Sequence, residues 1–241
     1  MVESKCMYAR PSLVFLLGVI SALFAQNPGN APIQAPRQAA PQAQAPTKQP
    51  LVHPIFENER VRVIEVVWEP GAATAPARLA EGDTIGVVIR GGTIEHTYAS
   101  GKRVRRERQP GEVLWQPGNV TLEARQNVGQ TKINVIQVRL KKAPPSHGYG
   151  GPVPRVKKLL ENTRAAVFDQ TIALRAKLPP HKYAPRLWVI LDGGDLRSWD
   201  KAGKQQDARV RASQVMWLPE QEHAIENVGQ TPVRLISIEF K

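Results

Sequence analysis

Along most of the chain, apolar and polar residues alternate with a period of two. Ile136, Val138 and Leu140 alternate with Gln137 and Arg139, and near the C-terminus Ile236, Ile238 and Phe240 alternate with Ser237 and Glu239. Such a period predicts strands with one buried face and one wet face. No stretch sustains a helical period. Turns at Gly91-Gly92, Ser100-Gly101 and Gly129-Gln130 cut the chain into short strands at the spacing of a sandwich or barrel. The expected fold class is therefore all-β.

The pattern also repeats. Asn127-Val128-Gly129-Gln130-Thr131 returns as Asn227-Val228-Gly229-Gln230-Thr231, 100 positions later. Glu57-Asn58 matches Glu161-Asn162, Gly91-Gly92 matches Gly193-Gly194, and Gly101-Lys102 matches Gly203-Lys204. Trp115-Gln116-Pro117 likewise matches Trp217-Leu218-Pro219. The offset falls from 104 to 102 to 100, as expected if the second copy lost two residues in an early loop and two in a late one. A duplicated domain accounts for this order. The expected organisation is two tandem antiparallel jelly-roll β-barrels, at 51–142 and 158–241, joined by a Pro/Gly-rich linker at 143–157.

The beginning of the chain reads differently. Lys5 and Arg10 precede an apolar run from Leu13 to Ile20, followed by small residues and Ala25, the order of a secretory signal peptide over 1–25. No later segment approaches the roughly 20 apolar residues a membrane helix needs, so no transmembrane segment is expected after cleavage. Residues 26–50 are almost wholly Ala, Pro, Gln and Asn, a composition that cannot bury a core and predicts a disordered tether. The expected location is outside the cytoplasm, periplasmic or extracellular. The single cysteine, Cys6, precedes the apolar run, which leaves the mature chain without disulfides, thiolate ligands or a cysteine nucleophile.

The formal net charge of +12 favours anionic partners. In an exported protein these are small anionic ligands or an envelope polymer, and nucleic acid is not expected. The densest basic stretch puts Lys102, Arg103, Arg105, Arg106 and Arg108 in seven positions. On a strand, Arg106 and Arg108 share a face with Val104 and Lys102, opposite Arg103, Arg105 and Glu107. So much charge predicts a solvated edge strand, with an anion-binding patch as the functional alternative. His53, His96 and His147 are expected at the surface. Trp115 and Trp217 are expected to pack in the core or against a pocket wall.

The stretches NERVRVIEVVWEPG, GVVIRGG, GEVLWQPGNV and NVGQT resemble the cupin family, and the likeness extends over both copies. Cupins generally hold a transition metal with two histidines and a glutamate from a first motif and a histidine from a second. In the N-terminal copy the resemblance puts Ala77, Leu79, Thr84 and Leu122 at those positions, and a one-residue shift would replace Leu122 by Glu123. None of these sets holds such a metal, and this barrel is expected to be structural. In the C-terminal copy His181 and His223 match histidine positions, Tyr183 takes the second histidine's place, and Arg186 or Leu187 falls where the glutamate belongs. On a strand, His223, Ile225 and Asn227 share a face that excludes Glu222 and Glu226.

The expected ligand-binding residues are therefore His181, Tyr183, Arg186 and His223, with no catalytic residue assigned. His181 and His223 are the candidate metal ligands, and no other cofactor is expected. The primary expectation is an exported cupin-domain protein that binds a small polar or anionic ligand in its C-terminal barrel without catalysis. One alternative is a metal-dependent enzyme using His181 and His223, with Tyr183 as ligand or acid/base. The other is an interaction protein whose basic surface binds an anionic envelope polymer. The resemblance also allows for a homodimer, a common assembly of cupins.

Overall fold

The computed structural model describes residues 48–78, 82–118, 121–141 and 156–241, with the backbone alone described at 77, 78, 122, 181–183 and 221. The expected signal peptide, nearly all of the tether, His147 and the linker as far as residue 155 lie outside the described residues.

Among the described residues there are twenty strands and no helix, hence none long and apolar enough to cross a membrane. The first copy comprises β1 (Leu51–Glu57), β2 (Val61–Trp68), β3 (Ala73–Thr74), β4 (Ala77–Arg78), β5 (Thr84–Arg90), β6 (Gly92–Thr97), β7 (Arg103–Arg108), β8 (Val113–Gln116), β9 (Thr121–Leu122), β10 (Ala124–Asn127) and β11 (Ile133–Leu140). The second comprises β12 (Val156–Glu161), β13 (Ala165–Ile172), β14 (Lys177–Tyr183), β15 (Arg186–Asp192), β16 (Gly194–Asp200), β17 (Gln205–Val210), β18 (Val215–Leu218), β19 (Gln221–Asn227) and β20 (Val233–Phe240). Each copy is a jelly roll of a five-stranded and a four-stranded antiparallel sheet. The orders are β1-β2-β11-β5-β8 with β3-β10-β6-β7, then β12-β13-β20-β15-β18 with β14-β19-β16-β17, and β4 pairs separately with β9. The basic strand β7 ends its sheet, as its charge predicts.

The repeated turn has a physical reason in each copy. Asn127 is fully buried and donates from Nδ2 to the carbonyls of Trp68 (2.8 Å) and Thr131 (2.9 Å), while its Oδ1 accepts from Gly129 N (3.0 Å). Asn227 repeats the set with Ile172, Thr231 and Gly229. One amide thus closes the turn and ties it to β2 or β13, satisfying backbone groups that would otherwise be buried unpaired. The repeated Gly91 and Gly193 have a steric reason. A Cβ at Gly91 would lie 2.0 Å from the Arg108 carbonyl oxygen, and one at Gly193 would lie 2.4 Å from that of Val210.

The expected wet faces of the long strands are only partly wet: Gln137 and Arg139 are half-buried, and Ser237 and Glu239 are buried. Val61, Val63, Ile85, Val87, Ile136 and Val138 pack with Val167, Leu187, Val189, Ile236, Ile238 and Phe240 in one apolar cluster shared by both copies. Trp217 stacks between Phe56, at 6.0 Å, and Phe240, at 5.5 Å. The apolar face of each five-stranded sheet is therefore covered by the sister copy. The alternating polar positions, including Gln137, Ser237 and Glu239, face the barrel interiors. Two-sided burial is the reason the simple inside/outside reading of the alternation fails.

Candidate functional site

Strand registers allow the two interiors to be compared position by position. Gly86 stands between Gln137 and Leu114, where Trp188 stands between Ser237 and Met216. Gln116 opposes Thr84 where Leu218 opposes Arg186. Arg125 opposes His96 where Ile225 opposes Ser198, and Arg108 opposes Gly92 where Val210 opposes Gly194. In the C-terminal copy, Trp188, Met216, Leu218, Ile225 and Val210 join Ile172, Leu178 and Leu235 in a packed apolar core. The N-terminal copy has a glycine and polar side chains at most of those places. Its interior contains a cavity of about 510 Å³, a volume typical of a small-molecule site.

The cavity joins an apolar floor to a charged wall. Trp68, Ile94 and Ile133 are buried in its floor. His96 is only 8% exposed, which corrects the expectation of a surface histidine: it lies within β6, between β10 and β7, and follows the buried Ile94 at strand period. Its Nδ1 is 3.3 Å from Glu123 Oε2. A carboxylate only accepts hydrogen bonds, so Nδ1 carries the proton and a neutral ring presents a lone pair at Nε2. Nε2 is buried and has no hydrogen-bond partner among the described residues. Burial pushes the His96 pKa down, Arg125 and Arg108 push it further, and Glu123 opposes them. The ring is therefore neutral at neutral pH.

Three guanidiniums line the same space. Arg125 lies beside Gln116, whose carboxamide oxygen, in the orientation that satisfies both groups, accepts from the guanidinium. Burial lowers the Arg125 pKa first of all; Glu123 opposes the shift and Arg108 adds to it. Arg108 donates to Glu112, and Arg106 Nη2 donates to Tyr98 Oη at 3.4 Å. On the other face of β7, Arg105 pairs with Glu95 at 3.0 Å. The predicted division of faces thus holds, and the inward face is the one that carries Arg106 and Arg108 to the cavity.

Sequence reasoning missed His96, Arg125 and Gln116. The signal was available in the repeat itself, where Gly86 matches Trp188 and Arg125 matches Ile225. A large apolar residue replaced by glycine or arginine at an inward position marks an interior that is not filled. Glu123 was noted only as a register uncertainty. Ala77 pairs with Leu122 as His181 pairs with His223, and Glu123 falls in the interruption between β9 and β10.

Of the residues expected to bind ligand, the structure brings Arg186 and His223 together in the C-terminal interior. Both are buried, with Arg186 Nη2 3.2 Å from His223 Nε2 and the guanidinium 5.5 Å from the centre of the Trp188 ring. Arg186 also stands opposite the buried Glu239. Burial brings the Arg186 pKa down to about 9 against the attraction of Glu239, and burial raises that of Glu239. His181 is paired with His223, and Tyr183 with Gln221, along the backbone of β14 and β19. The side chains of His181 and Tyr183 lie outside the description.

The described side chains at the cupin metal positions do not form a transition-metal ligand set. The N-terminal positions offer only the Thr84 hydroxyl, and Glu123 is engaged by His96. In the C-terminal copy a guanidinium, which only donates, is aimed at the Nε2 lone pair a metal would need. Among the described residues, no three His, Cys, Asp or Glu side chains gather as metal ligands.

No family model and no curated protein matches the chain. Solved structures do match. AerE from Microcystis aeruginosa aligns with a TM-score of 0.57 at 16% identity, covering 80% of this chain and 98% of its own. An 11S allergen from Cocos nucifera aligns with a TM-score of 0.62 at 12% identity, covering 81% and 86%. A cupin 2 conserved barrel domain protein from Leptotrichia buccalis aligns with a TM-score of 0.53 at 13% identity, covering 82% and 92%. The fold is that of a bicupin. At these identities the likeness concerns the fold alone, and function must be argued from the interiors. Among the described residues the two interiors differ: the C-terminal one holds a packed apolar cluster and the N-terminal one contains a charged cavity.

Proposed function

We propose that this bicupin binds a small anionic ligand, without catalysis, in its N-terminal barrel and outside the cytoplasm. One observation carries the reading: around the cavity of about 510 Å³ three guanidiniums, Arg106, Arg108 and Arg125, face two carboxylates, Glu112 and Glu123. With His96 neutral, one positive charge is in excess. Arg108 also disfavours the charge on Arg125, which an anion beside them would relieve. The ligand class proposed is the one expected from sequence, and the barrel proposed to hold it is the N-terminal rather than the C-terminal one. The C-terminal barrel then supplies the apolar face that closes its sister's five-stranded sheet. The signal-like start of the chain supports the extracytoplasmic setting.

The test is a thermal-shift screen of the whole chain against small carboxylates, inorganic phosphate and neutral polyols. Carboxylates should raise the melting temperature, less so at high salt, and Arg125→Met should abolish the rise. A rise unchanged in Arg125→Met, or one produced equally by neutral polyols, would refute the reading.

A further inference from the structure

The Nε2 atom of His96 narrows the ligand class. It is a buried lone pair in a polar wall where Glu123 takes the proton of Nδ1, Arg108 donates to Glu112 and Gln116 accepts from Arg125, and where the Thr84 hydroxyl and Arg125 Nε are also without partners among the described residues. A buried acceptor without a donor costs about 1–3 kcal/mol. Acceptor-only ligands such as acetate or propionate would bring a second lone pair against it. A hydroxyl both donates and accepts, so it can donate to Nε2 while accepting from a guanidinium.

We infer that the ligand is a hydroxylated carboxylic acid, with its carboxylate at Arg106 and Arg125 and a hydroxyl donating to His96 Nε2. This rests on the anion-binding reading above and deepens it. The single excess positive charge matches a monoanion better than a phosphate dianion. The floor of Trp68, Ile94 and Ile133 accommodates an apolar portion. A site that hydrogen-bonds a ligand hydroxyl discriminates strongly against the deoxy analogue, because without it the buried acceptor stays unpaired.

The experiment is calorimetric titration of the whole chain with pairs of acids that differ in one hydroxyl: lactate and propionate, malate and succinate, mandelate and phenylacetate. In at least one pair the hydroxy acid should bind at least ten times more tightly than its partner. That preference should disappear in His96→Phe and persist in part in His96→Gln, which retains an acceptor. The comparison on the unaltered chain stands even if His96→Phe does not fold. Equal binding within every pair overturns the hydroxyl assignment and leaves anion binding intact. Tighter binding of inorganic phosphate than of any hydroxy acid overturns the carboxylate assignment. Binding of no anion in any form overturns both the inference and the reading beneath it.

Discussion

Arg186 stands directly across from Glu239 on the neighbouring strand, and its guanidinium reaches His223 Nε2 at 3.2 Å. All three residues are buried. Removing one member of a buried charge pair leaves the other uncompensated, whereas replacing both by apolar groups of similar volume is close to neutral. Arg186→Ala should therefore destabilise the protein by about 3 kcal/mol or more, and Arg186→Met/Glu239→Leu should recover most of the loss. Urea denaturation of the two variants decides this. Equal losses in both would mean that the pair is not coupled.

A second prediction concerns Gly86, which keeps the N-terminal interior open where Trp188 fills its counterpart. A Cβ at this position would lie 3.4 Å from Leu114 Cβ and 3.5 Å from Val135 Cγ1, a contact that small adjustments accommodate. Gly86→Leu should leave the melting temperature within a few degrees of the parent's and eliminate the thermal shift caused by carboxylates. If the shift survives in a folded variant, the ligand binds elsewhere.

How much of this was legible beforehand depends on which interaction a residue serves. The duplication, the all-β class and the edge position of β7 rest on spacing and local patterning, and all were readable from the chain. The repeated Asn127 and Asn227 turns were visible, although their tie to β2 and β13 needs the strands to be assembled. His96 was misread because nothing local distinguishes a histidine that faces a barrel interior from one that faces solvent. The direction is set by pairing with β10, a contact distant in sequence. The alternation around Gln137 misled for a related reason: the apolar face it predicts is covered by the sister copy, so the polar face turns inward.

The shared apolar cluster makes a third prediction. Asn127→Ala leaves the carbonyls of Trp68 and Thr131 and the Gly129 N–H without their side-chain partner, at a cost of about 2–3 kcal/mol. Asn227→Ala should cost about as much in the other copy. Because the five-stranded sheets share one core, calorimetry should show a single transition in the parent and in each variant, shifted downward by a similar amount. Two separated transitions would show that the copies unfold independently.

The last prediction follows from His96. Its folded-state pKa lies below its ordinary value of 6.5, mainly through burial and then through Arg125 and Arg108, with Arg106 adding a little and Glu123 opposing. The unfolded chain therefore binds this proton more readily than the folded one. The neutral ring's contribution to stability is complete above about pH 6.5, and it is lost as pH falls from there through the depressed folded value. Denaturation midpoints measured from pH 8 downward should fall more steeply below about pH 6.5 in the parent than in His96→Gln. Glu123→Gln removes the one group that favours the imidazolium while keeping an acceptor for Nδ1–H, so it should steepen the fall. Parallel curves for the parent and His96→Gln would show that the ring does not sit neutral in the cavity wall, and the hydroxyl acceptor assigned to it would go as well.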